Sequence, residues 1–91
     1  MKYTKCLTDK CYFTGATANL ECHHIFGGAD RKNSEKYGLK VMLHHTMHNE
    51  SPNGVHHNKE KMDELHKFGQ LKFIESYPEL DFASIFFRNY L

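Results

Sequence analysis

Asn19-Leu20-Glu21-Cys22-His23-His24-Ile25-Phe26-Gly27-Gly28 sets how the rest of the chain reads. Leu20, Cys22, His24 and Phe26 fall on alternate positions, the period of a half-buried strand, and Gly27-Gly28 ends it. On that face Cys22 reads as a small buried residue. A polar loop follows, Ala29-Asp30-Arg31-Lys32-Asn33-Ser34-Glu35-Lys36-Tyr37-Gly38. A second strand comes next, with Leu39, Val41 and Leu43 alternating against Lys40 and Met42. The connection is too long for a tight hairpin turn, and loops of roughly a dozen residues are often functional.

Working outward, His44-His45-Thr46-Met47-His48-Asn49-Glu50 predicts a short helix, stopped by Ser51-Pro52-Asn53-Gly54. Asn58 is a good N-cap for a longer helix over 59–76, with Glu60 in its first turn. Met62, Leu65, Phe68, Leu71 and Ile74 recur at helical spacing, against polar Lys59, Lys61, Glu64 and Lys67. Pro78 closes that segment, and Asp81 caps a final short helix carrying Phe82, Ile85, Phe86, Tyr90 and Leu91. Both apolar stripes read as core. On the other side, Cys6 and Cys11 precede the turn-like Thr14-Gly15-Ala16-Thr17. The expected fold class is α+β. One domain spans 1–91, with an N-terminal segment over 1–18, a strand–loop–strand–helix unit over 19–50 and C-terminal helices over 58–91.

Ninety-one residues, 40% hydrophobic and 25% charged, suit one small globular domain rather than a disordered or multidomain chain. No apolar run is long enough to span a bilayer. Met1-Lys2-Tyr3-Thr4-Lys5-Cys6 has basic residues with no hydrophobic segment after them, so a cytoplasmic rather than secreted chain is expected. Three cysteines argue against a disulfide framework. A net charge of +1 neither supports nor excludes DNA, because a few lysines and a bound cation can meet phosphates.

The histidines carry the functional signal. Seven of the eight (23, 24, 44, 45, 48, 56 and 57) lie between Cys22 and Asn58, which points to metal or proton chemistry. His23 and His24 are adjacent on a strand and project oppositely, so they suit different jobs: one ligates a cation, the other holds an attacking water. His48 enters from the helix, and His56, His57 or Asn49 can supply a third ligand. That set suits phosphodiester hydrolysis, with a neutral imidazole taking a proton from water and a cation stabilising the phosphate. His44 and His45 read as structural or surface residues, and His66 as a solvated one. Arg31, Lys32, Lys36 and Lys59 are candidate phosphate contacts, or simply solvated charge.

Glu21-Cys22-His23-His24-Ile25-Phe26-Gly27-Gly28, Ser34-Glu35-Lys36-Tyr37-Gly38-Leu39, His48-Asn49 and Gly54-Val55-His56-His57-Asn58 together resemble the HNH nucleases, most of all the small phage-encoded members. The likeness extends to Tyr77-Pro78-Glu79-Leu80-Asp81-Phe82 and Arg88-Asn89-Tyr90-Leu91. The resemblance implies a ββα-metal (His-Me finger) core within 19–50. It implies His23 and His48 as metal ligands and His24 as general base; His56 is assigned the third ligand. The family's middle Asn falls near Gly38, leaving the loop's brace to another residue such as Asn33. The family's paired cysteines survive only as Cys6, Cys11 and Cys22, which with His44 could make an irregular structural zinc site. The function implied is a metal-dependent DNA endonuclease that nicks with little sequence specificity. Its cation would be Mg²⁺ or Mn²⁺, with Zn²⁺ or Ni²⁺ as alternatives, its partner DNA and not membrane, and its compartment the cytoplasm of the host if phage-encoded. The alternative is a non-catalytic, zinc-stabilised module that binds nucleic acid or protein.

Overall fold

Val41 and Leu43 have to be buried, and the strand pairing decides what is buried with them. In a computed structural model, which describes residues 6–50 and 52–91, β1 (Leu20–His24) and β2 (Lys40–His44) form a two-stranded antiparallel sheet. The register sets His23 opposite Val41, Cys22 opposite Met42 and His24 opposite Lys40. Cross-strand partners share a face, so His23 lies with Val41 and is buried (4% exposed), whereas Cys22 is exposed. The expected inner face of β1 was therefore the wrong one. Ile25 and Phe26, past the strand's end, are both buried, and Ile25 N donates to Leu39 O at 3.0 Å. The fold is α+β, as expected. The readings that fall on Met1–Lys5 and on Ser51 lie outside the described residues.

The connection between the strands is more ordered than a polar loop. A 3-10 turn over Gly28–Asp30 leads into α1 (Arg31–Lys36). Ser34, fully buried, holds this segment across the end of the sheet. Its hydroxyl accepts from Phe26 N at 3.2 Å and donates to Leu39 O at 2.6 Å, so one side chain ties both ends of the connection. Ser34, not Asn33, is the brace; Asn33 instead reaches Ile85 O at 3.5 Å. Gly38 (φ +70°) turns the chain into β2 through the left-handed region, where glycine has no steric penalty.

Along the other edge of β2 runs the N-terminal segment. Leu7 N and Tyr12 N donate to Lys40 O and Met42 O, and Thr8 Oγ1 accepts from Met42 N. After β2 the chain turns at once into α2 (His45–His48), whose second amide, Thr46 N, is capped by His44 Nδ1. A 3-10 turn over Val55–His57 then precedes α3 (Lys59–Ser76), where Asn58 Oδ1 accepts from Lys61 N at 3.1 Å as expected of an N-cap. No helix among the described residues is long and apolar enough to cross a membrane.

α3 buries Leu65, Gly69, Gln70 and Phe73, and Leu65 and Phe73 share one core with Val41 and Leu43 of β2. Leu71 and Ile74, expected in the core, are exposed. A strict three-residue repeat drifts around a helix by about 60° per step, so 71 and 74 have rotated away from the face that begins at Met62. The core face instead follows steps of four, through Leu65, Gly69 and Phe73, with Gln70 beside them. Gln70 is buried for a different reason: its Nε2 donates to Asn89 Oδ1 and its Oε1 accepts from Tyr90 N, fastening the last residues to α3. α4 (Phe82–Phe86), capped by Asp81, ends where Phe87 turns left-handed (φ +58°). It therefore stops short of Tyr90 and Leu91, and Leu91 is exposed.

Gly69 is where α3 comes closest to β1's extension. A Cβ there would stand 2.8 Å from Ile25 Cγ2 and 2.9 Å from Phe26 Cε2, both on fully buried side chains. Alanine normally favours a helix by about 1 kcal/mol over glycine, but overpacking costs about 1–3 kcal/mol. Gly69→Ala is therefore expected to lower the unfolding free energy in urea; a rise would show that the helix can withdraw without cost.

Candidate metal centre and catalytic histidine

Three imidazoles converge from three elements. His23 comes from the buried face of β1, His48 from the last position of α2, and His56 from the 3-10 turn after it. Their ring centroids are 4.9–5.2 Å apart, and one ring nitrogen from each lies within 4.8 Å of the other two. Among the described residues this is the one group of three or more His, Cys, Asp or Glu side chains placed to hold a single metal ion. His57 and Asn49, the other candidates for the third position, are not in it. Gly54 sets His56's approach: a Cβ there would sit 2.7 Å from the Glu50 backbone, so the chain folds back on itself more tightly than any side chain would allow.

The electrostatics suit ligation. Burial, followed by the neighbouring His48 and His56, pushes the His23 pKa down to about 3. His56 is also lowered, first by burial and then by His48 and His57. Both shifts favour the neutral form, which is the form that donates a lone pair to a metal. Buried polar atoms are nearly always paired, yet His23 Nε2 has no hydrogen-bond partner among the described residues. His48 is oriented from behind by Glu21, whose Oε1 lies 2.8 Å from Nδ1. A carboxylate on the far nitrogen of a ligating histidine fixes the tautomer and leaves Nε2 for the metal.

His24 faces the other way. Its Nε2 lies 2.9 Å from Glu35 Oε1, and Glu35 Oε2 accepts from Lys40 Nζ at 2.8 Å. The register explains this chain, because Lys40 is the cross-strand partner of His24 and α1 suspends Glu35 above both. Lys40, expected as an outward polar residue, is only 4% exposed. With Nε2 committed to a carboxylate, His24 has Nδ1 left to accept a proton.

The cleft beside these groups has two parts that share His24 and Arg31. One is lined also by Gly28, Lys32 and Glu35, the other by Cys22, His23, Gly27, His48 and His56. Arg31 and Lys32 therefore stand where an anion lying over the histidines would be met. Lys36 and Lys59 line neither part: Lys36 sits over the Tyr37 ring, and exposed Lys59 pairs with Asp63 along α3. Of the proposed zinc set, Cys6 and Cys22 meet with their sulfurs 3.3 Å apart. Cys11 is buried in the core, and His44 caps α2, so the four do not converge. His66 is not simply solvated, since it stacks on Phe26 and Tyr90 with centroids at 5.4 and 4.4 Å.

Glu21, Glu35 and Lys40 were missed as site residues. A lysine between Leu39 and Val41 in a core strand, one short connection from a glutamate, was the available signal for the second pair.

No family model, curated protein or solved structure matches the chain.

If Glu21 steadies His48 for a metal, Glu21→Ala should lower affinity for added Zn²⁺ by ~10–100-fold, the usual cost of removing such a partner. Glu21 is exposed, so the fold should persist. Calorimetric titration decides it, and unchanged affinity would remove Glu21 from the site.

Proposed function

We propose that this chain is a metal-dependent DNA endonuclease of the HNH type, close to the small phage-encoded members, with β1, β2 and α2 as a ββα-metal core. The observation that carries the reading is the division of labour at His23-His24. One histidine joins a triad with His48 and His56, and its neighbour, on the opposite face of the strand, is held by a carboxylate and lines the same cleft.

His23, His48 and His56 would hold the cation, leaving positions open for solvent and phosphate. Nitrogen donors suit Zn²⁺ or Ni²⁺ better than Mg²⁺ or Mn²⁺, which favour oxygen ligands. When bound, the cation would supply positive charge to the scissile phosphate and the departing oxygen. His24 Nδ1 takes the proton from the attacking water, and Glu35 holds the ring and balances the positive charge the imidazole gains. Lys40 holds Glu35 in place through its Nζ–Oε2 contact. Arg31 and Lys32 meet backbone phosphates, which carry no sequence information, so cutting is weakly selective.

His24→Ala should retain metal and DNA binding while plasmid nicking falls ~10²–10⁴-fold, the usual contribution of a general base. The assay compares Mg²⁺, Mn²⁺, Ni²⁺ and Zn²⁺ on supercoiled DNA. Near wild-type nicking by His24→Ala would overturn the assignment. Tight zinc binding with no nicking under any metal would instead identify a metal-stabilised binding module.

Replacing Arg31 and Lys32 by alanine should weaken binding to all DNA sequences alike and reduce the slope of log affinity against log salt by about 2. A loss confined to particular sequences would mean base contacts instead.

A further inference from the structure

On the face of the sheet away from the three imidazoles, three sulfur atoms lie together. Cys6 Sγ is 3.3 Å from Cys22 Sγ and 3.8 Å from Met42 Sδ. Cys22 and Met42 are direct cross-strand partners, and the N-terminal segment that hydrogen-bonds along β2 lays Cys6 over them. Successive strand residues point to opposite faces, so Cys22 and His23 project oppositely, and of the three sulfur residues only Cys22 also borders the cleft shared by His23, His48 and His56. Cys22 is exposed, which opens the group to solvent, while Cys6 and Met42 are half-buried.

We propose that Cys6, Cys22 and Met42 form a binding site for a soft monovalent cation, Cu(I). Two thiolates and a thioether are the donor set that selects Cu(I) over harder cations. Metal–sulfur bonds of about 2.3 Å place sulfurs about 4 Å apart around a trigonal centre, which Cys6 Sγ approaches with both of its neighbours. A structural zinc takes four protein ligands, commonly Cys or His, and of the expected zinc set Cys11 is buried in the core and His44 is engaged with Thr46. Burial and the adjacent Cys22 push the Cys6 thiol up to about 11, which makes it a poor nucleophile for disulfide exchange at neutral pH. Lys40 works in the opposite direction, favouring the thiolate. Binding releases the two thiol protons to solvent and transfers no electron. The site does not depend on the nuclease reading.

The test uses reduced, full-length protein titrated anaerobically against the coloured Cu(I)–bicinchoninate complex, with X-ray absorption of the loaded protein. Wild type should remove one equivalent of Cu(I) into an all-sulfur shell. Cys6→Ser and Cys22→Ser should lose that competition, Met42→Leu should bind more weakly, and His48→Ala should compete like wild type. Cys22 is exposed, so Cys22→Ser tests the site even if Cys6→Ser fails to fold. Retention by Cys22→Ser, undiminished affinity in Met42→Leu, nitrogen in the shell, loss in His48→Ala, or a Cys6–Cys22 disulfide forming in place of Cu(I) uptake would each overturn the proposal.

Discussion

The buried hydroxyl of Ser34 is the constraint on which the rest of the molecule hangs. By accepting from Phe26 N and donating to Leu39 O, it closes the long connection between the strands at both ends. A buried hydroxyl or amide left unpaired costs about 1–3 kcal/mol, so these three groups hold one another in place. α1 can lie across the sheet end only because of this tie. From α1 come Glu35, which meets His24, and Arg31 and Lys32, which line the cleft. A short segment with only six helical residues would be marginal alone. Its order comes from tertiary contacts.

How much of this was readable in the sequence depended on whether a signal was local. The N-caps Asn58 and Asp81 were legible because a side chain capping its own helix is a local event. The apolar alternation of β2 was legible for the same reason. The inner face of β1 was not, because Leu20, Cys22 and His24 alternate as convincingly as Glu21 and His23 do not. Only pairing with Val41 reveals that a histidine is buried there and a cysteine exposed. Leu71 and Ile74 misled in a similar way: they continue an apolar spacing but not the direction of the core.

The candidate site shows the same division. The histidine doublet and His48 could be picked out by residue type and spacing, and the structure brings His23, His48 and His56 together. The groups behind them could not be picked out. Glu21 reaches His48 across 27 positions, and Glu35 serves His24 and Lys40 at once. Such partners are ordinary charged residues in sequence and acquire their meaning only from the antiparallel register.

The placement of the three imidazoles along the chain also bears on how the molecule assembles. His48 and His56 are close in sequence and separated by one tight turn at Gly54, whereas His23 lies across the second strand. Because loop closure costs more as loops lengthen, bringing His23 to His48 is entropically dearer than pairing His48 with His56 by about 1 kcal/mol. The turn after α2 therefore supplies His48 and His56 as a local pair, whereas His23 joins them only through the non-local pairing of the two strands.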